Sequence, residues 1–225
     1  MSDKLYVITG ASDGLGKQLA LSLIKDGHCV ICLSRSKPDY EGVEWIQTDL
    51  TDRKSLDDAS AKLNSDKRKI AALINNAGVI RLEDFAKLSK QKLEHIIKLN
   101  VQAPIELASN MLDKLSLDGG DVVNVDSTAG HKGSGNSVSY TASKWAVRGF
   151  SESLRSLFST RTNRVINFSP GGMDTELFSK DSGEDPDGIE NWMNPKDVAE
   201  FLKQILYLPK NMEVSEVIIN RKKEA

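Results

Sequence analysis

At 225 residues the chain fits one domain on a prior of roughly 100–200 residues per domain, so one core must supply any cofactor and substrate sites. Hydrophobic residues make up 39% and charged residues 28%, enough apolar side chains for a packed core. Lys+Arg number 30 and Asp+Glu 32, a net charge of -2, which excludes a basic footprint for nucleic acid and a polybasic membrane patch.

Strand-like and helix-like segments then alternate along the chain. Leu5–Thr9 reads as a strand, and Gly14–Lys25 as a helix with Leu15, Leu19 and Leu23 one turn apart and Gly27 as its stop. Strands are expected at His28–Ser34 and Val43–Gln47, then a polar helix over Lys54–Asn64 and an apolar strand at Ile70–Asn75. Two long helices fill Lys90–Leu117, with a break around Asn100–Pro104. A strand at Asp121–Asp126 and a helix at Thr141–Ser159 follow. Arg164–Ser169 is a strand ending in Pro-Gly-Gly, Asn194 opens a last helix to Leu208, and Val214–Asn220 is the final strand. This alternation predicts a single α/β domain over 1–225, a doubly wound parallel sheet with helices on both faces. The polar stretch 178–192 is expected to be a mobile loop, either a lid over substrate or a surface insertion.

No apolar run exceeds five residues, so no spanning helix is expected. No charged leader precedes a long apolar stretch, so a cytoplasmic protein is expected. Cys29 and Cys32 form a CxxC, but residues three apart on a strand point to opposite faces, so the sulfurs diverge. The three histidines, His28, His95 and His131, are scattered, and no metal site is expected.

Three local patterns carry chemistry. Gly10, Ser12, Asp13, Gly14, Leu15 and Gly16 form a glycine-rich turn between the first strand and first helix. There a side chain would block close approach of a ligand, and free helix N–H groups face a pyrophosphate. Asp13 does not help a phosphate. The second strand ends in Ser34 and Arg35, with no acid to bind a ribose 2′-hydroxyl, and a cation there accommodates a 2′-phosphate. The pattern favours NADP(H). Tyr140 and Lys144 stand four apart at the start of a helix, on one face. An ammonium beside a phenol favours the phenolate, so Tyr140 is expected to have a lowered pKa.

With these residues in place, the chain resembles the short-chain dehydrogenase/reductase family, in its NADP(H)-preferring form, over nearly its full length. Thr9–Gly16 resembles the family's TGxxxGxG turn, and Asp49-Leu50 its adenine-contacting pair. Asn75, Asn76, Ala77 and Gly78 resemble its NNAG motif. Asn100 resembles the asparagine that bends a helix and holds a water. Ser127, thirteen residues before Tyr140, resembles the catalytic serine, and Tyr140 and Lys144 the YxxxK pair. Pro170, Gly171 and Thr175 belong to a segment resembling PGxxxT, which wraps the nicotinamide.

The resemblance implies hydride transfer between NADP(H) and a small carbonyl or alcohol substrate. It implies Tyr140 as proton donor or acceptor, Ser127 as a hydrogen-bond donor to the substrate oxygen, Lys144 on the nicotinamide ribose, and Asn100 positioning a relay water. A non-catalytic NADP(H)-binding sensor is the alternative, as is a sugar-nucleotide epimerase or dehydratase. Asp126 departs from the family's usual serine, and either brings a carboxylate to the site or caps local backbone. The C-terminal Asn220–Ala225 lacks the glycine-rich finish of tetrameric members, and Trp145, Phe150 and Phe158 offer apolar surface for a homodimer. Substrate choice is expected to lie in 129–139, 173–192 and the loop from Val79.

Overall fold

Leu5–Thr9 is buried along its whole length, and the period of two splits it: Tyr6 and Ile8 face one helical layer, Leu5 and Val7 the other. A strand apolar on both faces belongs inside a parallel sheet. The structure, a computed structural model, describes residues 4–183, 186 and 188–222. Its sheet has seven parallel strands: β1 (Leu5–Thr9), β2 (Cys29–Ser34), β3 (Val43–Gln47), β4 (Ile70–Asn75), β5 (Asp121–Val125), β6 (Val165–Pro170) and β7 (Glu216–Ile219). The spatial order is β3-β2-β1-β4-β5-β6-β7. After β1 the chain builds outward through β2 and β3, then returns to lay β4 on the other side of β1. That reversal opens a crevice at the carboxyl ends of β1 and β4, the usual ligand position in a doubly wound sheet.

One face is covered by α1 (Gly14–Lys25) and α8 (Pro195–Tyr207), which pack Leu15, Leu19, Leu23, Leu202 and Leu206 on the sheet. The other carries α2 (Arg53–Ser65), α4 (Ala103–Asn110), α5 (Leu112–Asp118) and α6 (Val138–Leu157), with Leu56, Leu63, Leu107, Leu115 and Leu154 turned inward. Each fully buried leucine contributes about 1.5–3 kcal/mol. Cys32 sits in the first of these layers and Cys29 packs against the second, so both thiols are free and face opposite ways.

Four expectations shift. The long helix α6 starts at Val138 rather than Thr141, because Glu83, 56 residues upstream, accepts the Ser139 N–H at 2.7 Å. The break expected around Asn100–Pro104 is a π-helical turn, Lys98–Gln102, through which α3 (Lys90–Ile97) runs on into α4. The helical run is instead interrupted at Met111. The stretch 178–192 is not irregular throughout: α7 (Ser179–Ser182) and a 3₁₀ turn at Ile189–Asn191 interrupt it, while Glu184, Asp185 and Asp187 lie outside the described residues. Phe158 is buried against the core and Phe150 is partly buried, so of the three aromatics expected at a dimer surface only Trp145 is exposed. Ile105 and Leu157 are exposed as well.

A buried guanidinium ties the C-terminal segment to the sheet. Arg164, 3% exposed, donates to Asp121 Oδ2 at 2.6 Å and to the carbonyls of Leu206 and Leu208 at 3.0 Å and Met212 at 3.1 Å. Ion pairing and carbonyl acceptors together compensate the loss of hydration that burial of this charge entails.

Candidate active site

The turn from β1 into α1 is shaped by glycines that side chains cannot replace. Gly10 and Gly14 take φ of +67° and +53°, in the left-handed region. At Gly16 a Cβ would lie 2.5 Å from Asn76 Nδ2 and 2.7 Å from the Gly10 carbonyl oxygen. Asn76 staples this turn to the end of β4, donating from Nδ2 to Thr9 O at 3.0 Å and Gly10 O at 3.1 Å. Thr9 Oγ1 accepts the N–H groups of Asn76 and Ala77, each at 2.9 Å. The result is a bare backbone cradle at a helix N-terminus, which fits a diphosphate.

Asp13 caps α1, accepting the Gly14 N–H at 2.6 Å, and its other oxygen pairs with Lys180 of α7. Burial works against its ionisation, but the Lys180 ammonium and the Gly14 N–H together hold the carboxyl below its ordinary range. The negative charge of Asp13, unhelpful to a phosphate, is thus met by a cation from across the cleft.

At the end of β2, Ser34 is buried and donates to Ser36 O at 2.7 Å, while Arg35 is exposed at the cleft mouth. Asp49 accepts the Thr51 hydroxyl at 2.7 Å and the Thr51 N–H at 2.9 Å. The hydroxyl bond, with Arg35 nearby, keeps the Asp49 carboxyl ionised below its usual range. Burial first, then Arg81 and Arg35, lower the pKa of His95 while Asp49 opposes them, so two guanidiniums and one carboxylate share this end of the cleft. Arg35, exposed there, could hold a ribose 2′-phosphate.

The chemistry-bearing side chains stand on the opposite wall. Tyr140 lies in the first turn of α6 and is 8% exposed. The Ser127 hydroxyl, just beyond β5, lines the cleft beside it and accepts the Ala129 N–H at 3.1 Å. Lys144 Nζ lies 5.7 Å from the centroid of the Tyr140 ring and donates to the Val125 carbonyl at 2.8 Å. Contrary to the sequence expectation, the Tyr140 phenol is pushed up to about 12. Burial is the main cause, the neighbouring Ser127 hydroxyl opposes it, and the Asp126 carboxylate adds to it. Burial also lowers the pKa of the Lys144 ammonium, which Asp126 offsets.

Asn100 lies in the π-helical turn, and its amide is engaged on both ends. Oδ1 accepts the Val79 N–H at 2.9 Å, and Nδ2 donates to Val79 O at 2.9 Å and to Ser143 Oγ at 3.1 Å. It braces the loop after β4 against α6, one turn from Tyr140.

A cleft of about 1430 Å³ joins these walls. Every residue expected at the site lines it except Gly16, which lies behind the phosphate turn, and the buried Asn100. Sequence reading missed Lys180 as the partner of Asp13, His95 at the Arg35 end, and Arg221, which β7 brings 4.5 Å over the Trp192 ring. None of these belongs to a local motif, and only Trp192, an aromatic in a polar loop, gave a signal. The described residues hold no group of three or more His, Cys, Asp or Glu arranged for a metal ion, and no helix among them is long and apolar enough to cross a membrane.

Comparison with known proteins agrees with this geometry. A family model described as short chain dehydrogenase matches residues 4–185. An uncharacterized oxidoreductase of Staphylococcus saprophyticus is 27% identical over 232 residues, spanning 97% of each chain. Among solved structures, the closed form of a serine dehydrogenase complexed with NADP+ superposes with a TM-score of 0.88 at 25% identity, covering 97% of this chain and 94% of the other. A short-chain dehydrogenase from Sphingobium yanoikuyae in complex with NADPH gives a TM-score of 0.80 at 26% identity, covering 89% of this chain and 83% of the other.

Proposed function

The chain belongs to the short-chain dehydrogenase family and is an oxidoreductase of that type; on that premise we propose that it interconverts a small carbonyl compound and its alcohol with NADP(H), Tyr140 moving the proton. The observation that carries this reading is the facing of two walls across one cleft, the glycine cradle on one and Ser127, Tyr140 and Lys144 together on the other.

Gly10–Gly16 would hold the diphosphate, Asp49 and Leu50 the adenine, and Arg35 beside Ser34 the 2′-phosphate. Asn76, Ala77, Gly78, Pro170, Gly171 and Thr175 would border the nicotinamide half. The chemistry a bound nicotinamide supplies there is hydride transfer to or from a substrate carbon. Tyr140, buried and holding its proton well above neutral pH, is the acid that protonates the carbonyl oxygen during reduction. Ser127 donates a hydrogen bond to that same oxygen and stabilises charge as it develops. Lys144 contributes its ammonium beside the phenol and a donor toward the ribose hydroxyls. Asn100 fixes the first turns of α6 through Ser143, so its role is to keep Tyr140 aimed, with a relay water as the family resemblance implies.

The cofactor preference is supported by the absence of a carboxylate at the end of β2 and by the NADP-bound relatives. Residues 178–192, bordering the cleft through Phe178, Lys180 and Trp192, are the substrate-side loop of this reading. A homodimer through α4 and α6 is supported by the exposed Ile105, Trp145 and Leu157; sedimentation at micromolar concentration is expected to give a dimer, and a monomer alone refutes it.

The test is oxidation of NADPH against a panel of ketones and aldehydes, with NADH alongside. Turnover is expected with NADPH preferred, and Tyr140→Phe is expected to bind NADPH while losing at least about a hundredfold in turnover. NADPH binding without turnover on any carbonyl points instead to a sensor.

A further inference from the structure

Asp126 is the residue in the site whose presence the proposed chemistry does not use. It ends the turn out of β5, directly before Ser127, and is 3% exposed. Its Oδ2 accepts from Asn167 Nδ2 at 3.1 Å and from Ser169 Oγ at 3.2 Å, both on β6. Its Oδ1 is buried with no hydrogen-bond partner among the described residues. Gly130 packs so closely on the carboxylate that a Cβ there would collide with it. A backbone cap would use the carboxylate on local N–H groups. Here the hydrogen bonds that fix the carboxylate come from side chains of the neighbouring strand, with the Ser127 N–H a further influence, so the group is anchored across the sheet as well as locally.

The charged groups around it are few and well defined. From α6, Lys144 hangs its ammonium on the Val125 carbonyl, the peptide next to Asp126, and Arg148 lies further along the same helix, paired with Glu216 at 2.8 Å. From the turn after β5, His131 Nε2 lies 3.8 Å from Asp126 Oδ2 and 3.0 Å from Ser169 Oγ. From β7, Glu216 lies 3.9 Å from the same imidazole nitrogen. His131 lines the cleft, so the carboxylate communicates with it through Ser169.

We propose that Asp126 is a positioning residue that acts on the Tyr140–Lys144 pair by its charge, setting the pH range in which Tyr140 serves as proton donor. A serine or glycine in its place leaves the pair to its own burial. A carboxylate fixed by Asn167 and Ser169, with one oxygen unsatisfied, adds a negative charge that water does not screen and that disfavours a phenolate nearby. The directions agree: the charge of Asp126 raises the pKa of both Tyr140 and Lys144. Burial raises the pKa of Asp126 itself, against the Lys144 ammonium and the side-chain donors, yet a carboxyl group is ionised in the alkaline range where the phenol titrates.

The inference rests on the dehydrogenase reading, and its test has one arm that does not. Asp126→Asn keeps the shape and removes the charge, and Asp126→Ser restores the residue typical of the family. In the first arm, kcat/KM for carbonyl reduction is followed from pH 6 to 12.5, so that the wild-type alkaline limb near 12 is bracketed. Both variants are expected to keep measurable turnover at pH 7 while the alkaline limb moves down by roughly one pH unit. In the second arm, ring-labelled tyrosine is titrated by NMR without substrate, Tyr140→Phe identifying the signal; the Tyr140 resonance is expected to titrate earlier in both variants. If the wild type reduces no carbonyl, the dehydrogenase reading fails and the tyrosine titration still decides the role of Asp126. An unmoved limb, an unmoved resonance, or a rate lowered equally at every pH overturns the proposal.

Discussion

Replacing Gly16 by alanine tests whether the phosphate turn is held by the packing seen here. The new methyl would come 2.5 Å from Asn76 Nδ2, 2.7 Å from the Gly10 carbonyl oxygen and 3.1 Å from Ala11 Cα. Two of those neighbours are backbone, and the third is the amide that staples the turn. Overpacking costs about 1–3 kcal/mol, and loss of the Asn76 bonds to Thr9 and Gly10 about 0.5–1.5 kcal/mol each. Alanine's better helix propensity returns about 1 kcal/mol. The net expectation is a loss of about 3 kcal/mol, a fall in Tm of about 6–12 °C for a chain of this size. NADPH affinity, read by the fluorescence of the bound nucleotide, is expected to fall more than about tenfold, since roughly 1.4 kcal/mol of displaced backbone donors suffices. Gly135→Ala is the control: nothing lies within 4 Å of a Cβ there, and both readouts are expected to stay at wild-type values. A Gly16→Ala protein with wild-type Tm and wild-type NADPH affinity refutes the reasoning.

Arg35→Asp, at the exposed end of β2, is expected to move the NADPH-to-NADH ratio of kcat/KM by roughly 10- to 100-fold toward NADH, the worth of a charged hydrogen bond; an unchanged ratio means that Arg35 does not read the phosphate. Arg164→Met leaves Asp121, 1% exposed, with the Lys210 ammonium and the backbone N–H of residue 164 as its partners among the described residues, and is expected to lower stability by about 3–5 kcal/mol in urea unfolding. A loss below about 1 kcal/mol would show that Lys210 compensates alone. Burial raises the Tyr6 phenol from 10.0 to about 12, so the folded state binds a proton that the unfolded state releases first. The stability held below pH 10 therefore drains away as pH rises through 12. Tyr6→Phe is expected to flatten that decline in alkaline unfolding, and an identical slope in both proteins contradicts it.

Legibility in the sequence followed locality. The strand–turn–helix of residues 5–25 was readable to the residue, because its glycines, apolar spacing and cap all lie within one short stretch. The start of α6 was not, because its first turn is capped by Glu83 from a loop 56 residues away. Neither was the chemistry of Tyr140. The spacing to Lys144 was right, yet depth of burial and the Asp126 charge, both tertiary, overrode the expected acidification. The break placed at Asn100–Pro104 failed for a related reason: a widened turn stabilised by Val79 and Ser143 carries the helix through. Phe158 is expected to offer apolar surface for a homodimer, but it sits just past the last turn of α6 and folds back into the core.

The strand order has a consequence for how the molecule is made. β1 emerges first and finds β2 within about twenty residues, but its other edge waits for β4, some 65 residues later in the chain. Until then Leu5, Val7 and Ile8 stand along a row of unsatisfied amides, the kind of edge that recruits a neighbouring polypeptide. Such late closure slows collapse to the native topology, and a nascent chain of this protein is most vulnerable to aggregation before Ile70–Asn75 arrives.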